Sequence, residues 1–425
     1  MSHLQKQITL LVMAALGSRA FAQTQSFTWQ ELRSKFEASN PTLRAAAISI
    51  DESRAQEITA YLRPNPDLTF SVDQIDPFST QPPPTGGPGV YSPFAFAFPA
   101  ASISYLYERR HKRELRRDSA QQATAISVSQ YADQERNLLF SLRSAFVQTL
   151  QQKAILDLTR ENLAYYNRLL GVSNDRLKAG DIAKVDYQRL ELQRVQYETD
   201  VQTAIVNLRT AKIQLLMLLN DRTPVEQFDV TGTFDFSDKI LGLEELRRLA
   251  MDNRPDLKAA VQGVEKAETD HKLAVANGST DPTFGADIAR NPPIPAYVGV
   301  NVSIPLRIFD RNQGEKLRTE EDIARNQRLR DAATAQVFSD VDSAYATIES
   351  NLTLLRPYKE IYLREAVEVR DTVSFAYTRG GSSLLDFLQA QQDYRSTQLN
   401  YLNLVGAYLT AAAQVNLAVG QEVSP

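Results

Sequence analysis

The sequence predicts a mainly α-helical chain with a transmembrane β-barrel portion, built from a duplicated unit of helix, β-hairpin and long helix. Three observations carry this prediction. The order of landmarks repeats once along the chain, short segments alternate strictly between apolar and polar residues, and very long stretches lack proline.

The N-terminus sets the compartment. Lys6 supplies a positive charge, Ile8-Thr9-Leu10-Leu11-Val12-Met13-Ala14-Ala15-Leu16 forms a short apolar run, and Ala20-Phe21-Ala22 offers small residues where signal peptidase cuts. This is the order of a secretory signal, and its apolar run is too short to span a bilayer. Residues 1–22 are therefore set aside as a signal peptide. The chain has no cysteine, so an exported product would carry neither disulfides nor a lipidated cysteine. Removing Lys6 and Arg19 with the signal takes the formal net charge from −4 to −6. No basic excess points to nucleic acid. The most apolar remaining stretch, residues 402–419, is interrupted by Asn403, Thr410, Gln414 and Asn416 and does not read as a transmembrane helix. Crossing a membrane would then fall to β-strands.

The repeat divides the rest. Asn40-Pro41-Thr42-Leu43-Arg44-Ala45-Ala46 returns as Arg254-Pro255-Asp256-Leu257-Lys258-Ala259-Ala260. Tyr107-Glu108-Arg109 returns as Phe309-Asp310-Arg311. Gly180, Val185-Asp186-Tyr187 and Gln214 come back 200 positions later as Gly380, Leu385-Asp386-Phe387 and Gln414. The expected organisation is a first repeat over 23–220, a linker or equatorial segment over 221–242, and a second repeat over 243–425. The strand pairs are placed at about 66–107 and 282–306, and the long helical hairpins at about 109–220 and 311–420.

Leu68, Phe70 and Val72 share one face of the first strand, and Phe94, Phe96 and Phe98 alternate in the returning segment. Pro99 and a change of phase predict a bulge or bend there. In the second repeat Phe284, Ala286 and Ile288 alternate, followed by Val298, Val300, Val302 and Ile304. A soluble half-buried sheet has this pattern, and so does a barrel with lipid outside and a polar lumen. The strands feed long polar helices that leave little sequence to cover a sheet face, which favours the barrel. Four strands cannot close one, and open edges in hydrocarbon would leave N–H and C=O groups unpaired. Spanning strands therefore require several chains. Gln81-Pro82-Pro83-Pro84-Thr85-Gly86-Gly87-Pro88-Gly89 fits an exposed loop joining the first pair.

Between Arg109 and Lys178 there is no proline, and the stretch predicts a helix on the order of 100 Å long. Leu138, Leu142, Ala145, Thr149, Gln152 and Leu156 mark one face, and Leu139, Phe146 and Leu150 a second. Two modest stripes suit a helix with neighbours on two sides. The second repeat runs similarly from Arg311 to Arg379, with Pro357 predicting a break or offset. In the linker, Phe228, Val230, Phe234 and Phe236 alternate as a small lateral strand would.

Catalytic or cofactor chemistry finds no support. Outside the signal only His111 and His271 remain, without Cys or carboxylate partners at metal-ligand spacing. Phosphate loops and nucleophile elbows are missing. The sequence therefore predicts no enzyme, no cofactor and no metal site.

Two repeats, each with Asn/Arg-Pro-x-Leu opening a helix, a strand pair, and a helix–Gly turn–helix ending in Asp-aromatic, resemble the TolC family of outer-membrane efflux proteins. The resemblance spans nearly the whole mature chain and rests on the duplicated order rather than on any one motif. It implies a homotrimer forming a twelve-stranded β-barrel in the outer membrane and an α-barrel through the periplasm. It further implies a passive exit duct of a tripartite efflux system, carrying drugs or metal ions from an inner-membrane pump such as an RND transporter through a periplasmic adaptor. The helical turns would form the periplasmic tips. The adaptor would then contact Lys178, Gly180, Asp181, Arg379, Gly380 and Gly381, and the pore constriction would involve Asp386, Tyr377, Gln389 and Asp186. A ring of Asp386 would favour cations; the alternative reading is that Asp386 and Asp186 cap their helices. Gln389 and Ser382 stand where relatives carry a second carboxylate and a basic gate residue. The basic run from Arg109 to Arg117 reads as a solvated helix start or as a contact with acidic headgroups of outer-membrane lipid. A type I protein-secretion duct and a periplasmic coiled-coil scaffold or adaptor remain open as alternatives.

Overall fold

A computed structural model describes residues 25–82, 86–291 and 294–423; the predicted signal at 1–22 and residues 83–85 of the Pro/Gly-rich loop lie outside the described residues. The elements run β1 (Gln25–Phe27), α1 (Trp29–Ser39), α2 (Pro41–Tyr61), β2 (Asp67–Asp73), β3 (Thr80–Gln81), β4 (Val90–Tyr91) and β5 (Phe98–Leu106). They continue with α3 (Lys112–Ala179), α4 (Lys184–Leu218), β6 (Phe228–Val230), α5 (Leu243–Asn253), α6 (Pro255–Asn277), β7 (Thr283–Asn291) and β8 (Ile294–Ser303). Last come α7 (Gln313–Pro357), α8 (Leu363–Thr378) and α9 (Leu384–Val419). The chain forms two compact units: one of residues 48–130 and 256–333, the other of the remaining segments.

The first of these units holds a four-stranded sheet in the order β2-β5-β7-β8, antiparallel throughout. Its register sorts the side chains by chemistry. Leu68 lies opposite Ile103, Phe70 opposite Ala101, Ile103 opposite Ala286, Ala286 opposite Val300, and Phe284 opposite Val302. Because side chains alternate along a strand, all of these lie on one face, together with Val72, Tyr105, Ile288 and Val298. That face is open: Phe70 and Val298 are each 75% exposed and Val300 85%. The other face carries Thr69, Ser71, Ser102, Ser104, Asp287, Asn301 and Ser303. Gly285 and Gly299 make room on it, since a Cβ at either would sit 2.6–2.7 Å from the side chains of Asn301 or Asp287. The outer strands β2 and β8 each pair on one side only.

Two details differ from the sequence expectation. Phe94 and Phe96 belong to turns, with Ala95 N–H donating to Ser92 O and Ala97 N–H to Phe94 O, so the returning strand begins at Phe98. Pro99 makes no bulge but pairs in register with Val72, while the pairing of β5 with β7 starts only at Ala100. The missing proline N–H thus falls where no neighbour needs it. The irregularity lies instead between Ala289 and Asn291.

Helical segments of this unit meet through small and polar residues. Ser53 bonds Ser127, Ser129 donates to Gln262, and Ala267, Ala274 and Ala276 are buried. At the root of the sheet, Lys112 Nζ reaches Asp281 at 2.5 Å and Arg116 forks onto Glu108 at 2.5 and 2.8 Å.

The other unit contains most of the apolar core. Both stripes predicted on α3 are used: Leu142, Ala145, Thr149 and Leu156 are buried, as are Phe146 and Leu150. A cluster around Leu32, Phe36, Leu142, Phe146, Leu215 and Phe228 anchors α1 and β6, and β6 pairs in parallel with β1. The predicted lateral strand covers only Phe228–Val230. Phe236 instead packs edge-on against Tyr408, whose hydroxyl donates to Ser237 O at 2.8 Å. On α7, Val337, Val341, Ala344, Ile348, Leu352 and Leu355 form a buried stripe. Pro357 ends it, and a π-turn over Tyr358–Tyr362 takes up the offset before α8. By length and composition α9 is long and apolar enough to cross a bilayer, contrary to the expectation from its interrupting polar residues. Its Val405, Tyr408, Leu409, Ala412, Val415 and Val419 are buried against protein, as in a core helix.

The duplicated residues before Pro41 and Pro255 do the same work twice. Asn40 Nδ2 donates to Leu218 O at 3.1 Å, and Arg254 Nη1 donates to Ala418 O at 3.4 Å and to Asp340 at 2.8 Å. Each thereby satisfies carbonyls at the end of the last long helix of its own repeat.

Lys35 and Thr223 both bond Asp221 beside this junction. Burial alone would raise the Asp221 carboxyl, but the bonds from Lys35 and Thr223 outweigh it and hold the pKa down to about 2. A depressed carboxylate contributes stability above its unfolded pKa near 4 and loses it as pH falls towards 2. Asp221→Asn should therefore cost about 1–2 kcal/mol at neutral pH and flatten the acid limb of stability below pH ~4, as read by denaturant titrations across pH.

Candidate functional site

Both helical hairpins turn by the same backbone chemistry. At the end of α3, Gly180 adopts φ 84°, its N–H donates to Leu177 O, and Asp181 N–H donates to Arg176 O. At the end of α8, Gly380 adopts φ 77°, its N–H donates to Tyr377 O, and Gly381 N–H donates to Ala376 O. These are two Schellman motifs with glycine at the left-handed position, where a Cβ would be strained. Lys178, Asp181, Arg379, Gly380 and Gly381 are all exposed around them.

The helices leaving the two turns start differently. Ser383 caps α9 in a capping box: Asp386 N–H donates to Ser383 Oγ at 3.1 Å, and Ser383 N–H and Oγ donate to Asp386 Oδ2 at 3.2 and 2.7 Å. The bond from the Ser383 hydroxyl, then the one from its backbone, holds the Asp386 carboxyl below its ordinary value. Asp386 is exposed and ionised on the open side of the helix. In α4 the cap position is Ala183, without a side-chain bond, and Asp186 lies 3.9 Å from Arg189. Gln389 donates to Asp393 at 2.8 Å, so Asp386, Gln389 and Asp393 form one exposed polar stripe along α9.

Tyr377 sits elsewhere. It is 5% exposed, stacked on Phe387 with centroids 4.8 Å apart, inside a cluster with Tyr166, Leu169, Leu170, Leu190 and Tyr197. Burial pushes its phenol pKa up. The cluster joins the two hairpins just above their turns. Tyr166 stacks on Tyr197 at 4.5 Å and donates to Leu190 O at 3.0 Å. Arg176 donates to Tyr377 O at 3.0 Å, Arg370 lies over Tyr394 at 4.1 Å, and Arg395 lies over Tyr197 while pairing with Asp200 at 2.9 Å. Such cation–π contacts contribute roughly 0.5–2 kcal/mol each. The sequence reading did not single out Arg176, Arg370 or Arg395. Their only linear signal is an arginine in helices where tyrosines recur on one face.

A cavity of 440 Å³ in the same unit is lined by Trp29, Arg33, Glu135, Arg143 and Glu422 among others. Arg143 lies over the Trp29 ring at 4.6 Å. Among the described residues no three His, Cys, Asp or Glu side chains come together in a way that could hold a metal ion.

Residues 246–421 match the family described as outer membrane efflux protein. The chain is similar to the cobalt-zinc-cadmium resistance protein CzcC of Cupriavidus metallidurans, at 23% identity over 397 residues covering 90% of this chain and 87% of that protein. Among solved structures its fold is similar to CusC, with a TM-score of 0.77 at 16% identity and 92% of each chain covered. It is also similar to the open state of the MtrE outer membrane channel of Neisseria gonorrhoeae, with a TM-score of 0.73 at 17% identity, covering 93% of this chain and 89% of that one.

Two glycines separate the role of the turns from that of helix propensity. Gly380→Ala forces a Cβ into the left-handed region and should destabilise by about 1–2 kcal/mol. Gly171→Ala lies inside α3 with no atom within 4 Å of the new Cβ and should stabilise by about 0.5–1 kcal/mol. Thermal melts of the two variants should shift in opposite directions.

Proposed function

Because residues 246–421 match the outer membrane efflux protein family and the chain resembles outer-membrane channels in fold, we propose that it is the outer-membrane exit duct of a tripartite efflux system. The observation that carries the reading is the four-stranded sheet with one apolar, largely exposed face and edges at β2 and β8 that pair on one side only. In water such a face would be a large uncovered apolar patch. In a bilayer it meets acyl chains, provided that the edges find strands on other copies. Three copies supply twelve strands, and the polar face then lines the lumen.

In this duct the Gly180 and Gly380 turns are the periplasmic tips. A periplasmic adaptor contacts them at Lys178, Gly180, Asp181, Arg379, Gly380 and Gly381, and an inner-membrane pump supplies the energy. Asp386 and Gln389 line the constriction, with Asp186 on the neighbouring turn; Tyr377 holds the two hairpins together behind it. The capping box does not compete with the pore role, because it favours the ionised form of Asp386 and fixes where the carboxylate sits. Divalent metal cations are the favoured cargo. Supporting this are the likeness to a cobalt-zinc-cadmium resistance protein and the exposed carboxylates at the tip, which attract cations and repel anions.

Membrane fractionation followed by light scattering of the detergent-extracted protein tests the architecture. A trimer from the outer-membrane fraction is expected; a soluble monomer from the periplasm would overturn the duct. For the constriction, Asp386→Cys channels in planar bilayers should lose most of their conductance to a bulky thiol reagent. Unchanged conductance after complete labelling would remove Asp386 from the pore.

A further inference from the structure

The helix-side end of the sheet is cationic, and its far end is not. Four connections meet at that end: residues 62–66, 107–111, 278–282 and 304–312. With the first residues of α3 and β2 they carry Arg63, Arg109, Arg110, Lys112, Arg307 and Arg311 against Asp67, Glu108, Asp281 and Asp310. Glu108, Asp281 and Asp310 are already engaged. Arg116 forks onto Glu108 at 2.5 and 2.8 Å, Asp281 takes Lys112 at 2.5 Å and the Arg109 N–H at 2.9 Å, and Asp310 accepts from Asn312 N–H at 2.8 Å. Among the described residues no carboxylate pairs with Arg63, Arg109 or Arg110, and all three are exposed. Arg110 and His111 take φ values of 56° and 55°, which turns the chain sharply from β5 into α3. At the opposite end, the charged side chains among the described residues of 73–97 and 290–291 are Asp73, Asp76 and Arg290.

This cationic end is continuous with the apolar face and bordered by exposed aromatic and aliphatic side chains. Tyr61 is 42% exposed, Tyr107 54%, Leu306 80% and Phe309 90%. Arginine beside interfacial aromatics at the edge of an apolar band matches the headgroup layer of a bilayer, where each basic side chain is attracted to anionic lipid. We propose that Arg63, Arg109 and Arg110 form a collar that binds anionic glycerophospholipid headgroups in the leaflet on the helix side of the sheet. The inference rests on the outer-membrane reading above. The ligand chemistry is a phosphodiester with acyl chains: the chains cover Leu306 and Phe309, and the phosphate answers arginines that the protein leaves without a counter-charge.

The test uses the full-length protein reconstituted into vesicles of phosphatidylethanolamine alone, or with about one-fifth phosphatidylglycerol. Native mass spectrometry after gentle extraction counts the retained lipids. The wild type should retain phosphatidylglycerol over phosphatidylethanolamine, and R63Q/R109Q/R110Q should lose that preference by about tenfold or more. Arg290→Gln, at the other end of the sheet, should behave as wild type. Equal retention by the triple variant, an equal loss in Arg290→Gln, or preferential retention of added lipopolysaccharide would each overturn the proposal. Should the triple variant misfold, raising salt on the wild type decides the matter, since a phosphate–arginine collar must weaken with ionic strength. Insertion into both vesicles without phosphatidylglycerol preference sinks the collar alone. Failure to enter either vesicle sinks the duct reading and the collar with it.

Discussion

A β-strand carries a row of N–H and C=O groups that must be paired wherever water is absent, and in this chain four strands leave two such rows open. Central strands β5 and β7 are paired on both sides, whereas β2 and β8 are paired on one. The face they share is apolar from Leu68 to Val302. These two facts constrain everything else. An apolar face without cover calls for hydrocarbon, and hydrocarbon forbids open edges. Under the duct reading, both demands are met when strands of other copies complete the sheet. The polar face of Gly, Ser, Asn and Asp then has a use as a lumen, and the absence of sequence to cover the sheet is no longer a deficit.

The helical part solves a different problem. Very long helices cannot bury one large core, so their packing is spread over modest stripes of Leu, Ala, Val and Thr. What fixes them is concentrated at the ends. Asn40 and Arg254 close the carbonyl ends of α4 and α9, and Gly180 and Gly380 reverse the chain by the same hydrogen bonds. Between turn and shaft, the tyrosine–arginine cluster ties one hairpin to the other. Aromatic rings give area at little entropy cost, and the guanidinium groups let that area sit close to solvent. Duplication makes the two hairpins alike in backbone, while the capping box at Ser383 has no counterpart at Ala183. The second turn is thus the one at which a carboxylate is held in place.

Much of this was legible in linear form because the relevant periods are short. Alternation at Leu68-Thr69-Phe70 or Val298-Gly299-Val300 is a two-residue period and gives the strand and its faces directly. The recurrence of Asn40-Pro41 as Arg254-Pro255, and of Gly180 as Gly380, gives the duplicated order. Where reading failed, a local rule was overruled by context. Phe94 and Phe96 alternate as strand residues do, yet turn hydrogen bonds from Ala95 and Ala97 fold this segment out of the strand. Phe234 and Phe236 continue the alternation of Phe228 and Val230, yet Tyr408 and Lys359 hold Phe236 outside any strand. Pro99 promised a bulge but fell where β7 does not yet pair.

The sequence by itself determined the class of fold and that glycine stands at both helical turns, because the first follows from short-range periodicity and the second from the φ that glycine alone adopts freely. Tertiary structure alone decided which residues near the turns face outward. Tyr377 and Asp386 lie nine residues apart around the same turn, yet one stacks inside against Phe387 while the other is fixed at the surface by Ser383. It also decided that Glu108 and Asp281 are taken by Arg116 and Lys112, so that among the described residues no carboxylate pairs with the side chains of Arg63, Arg109 and Arg110. Charge pairing depends on which side chains come within about 4 Å in space, and no spacing along a chain encodes that distance.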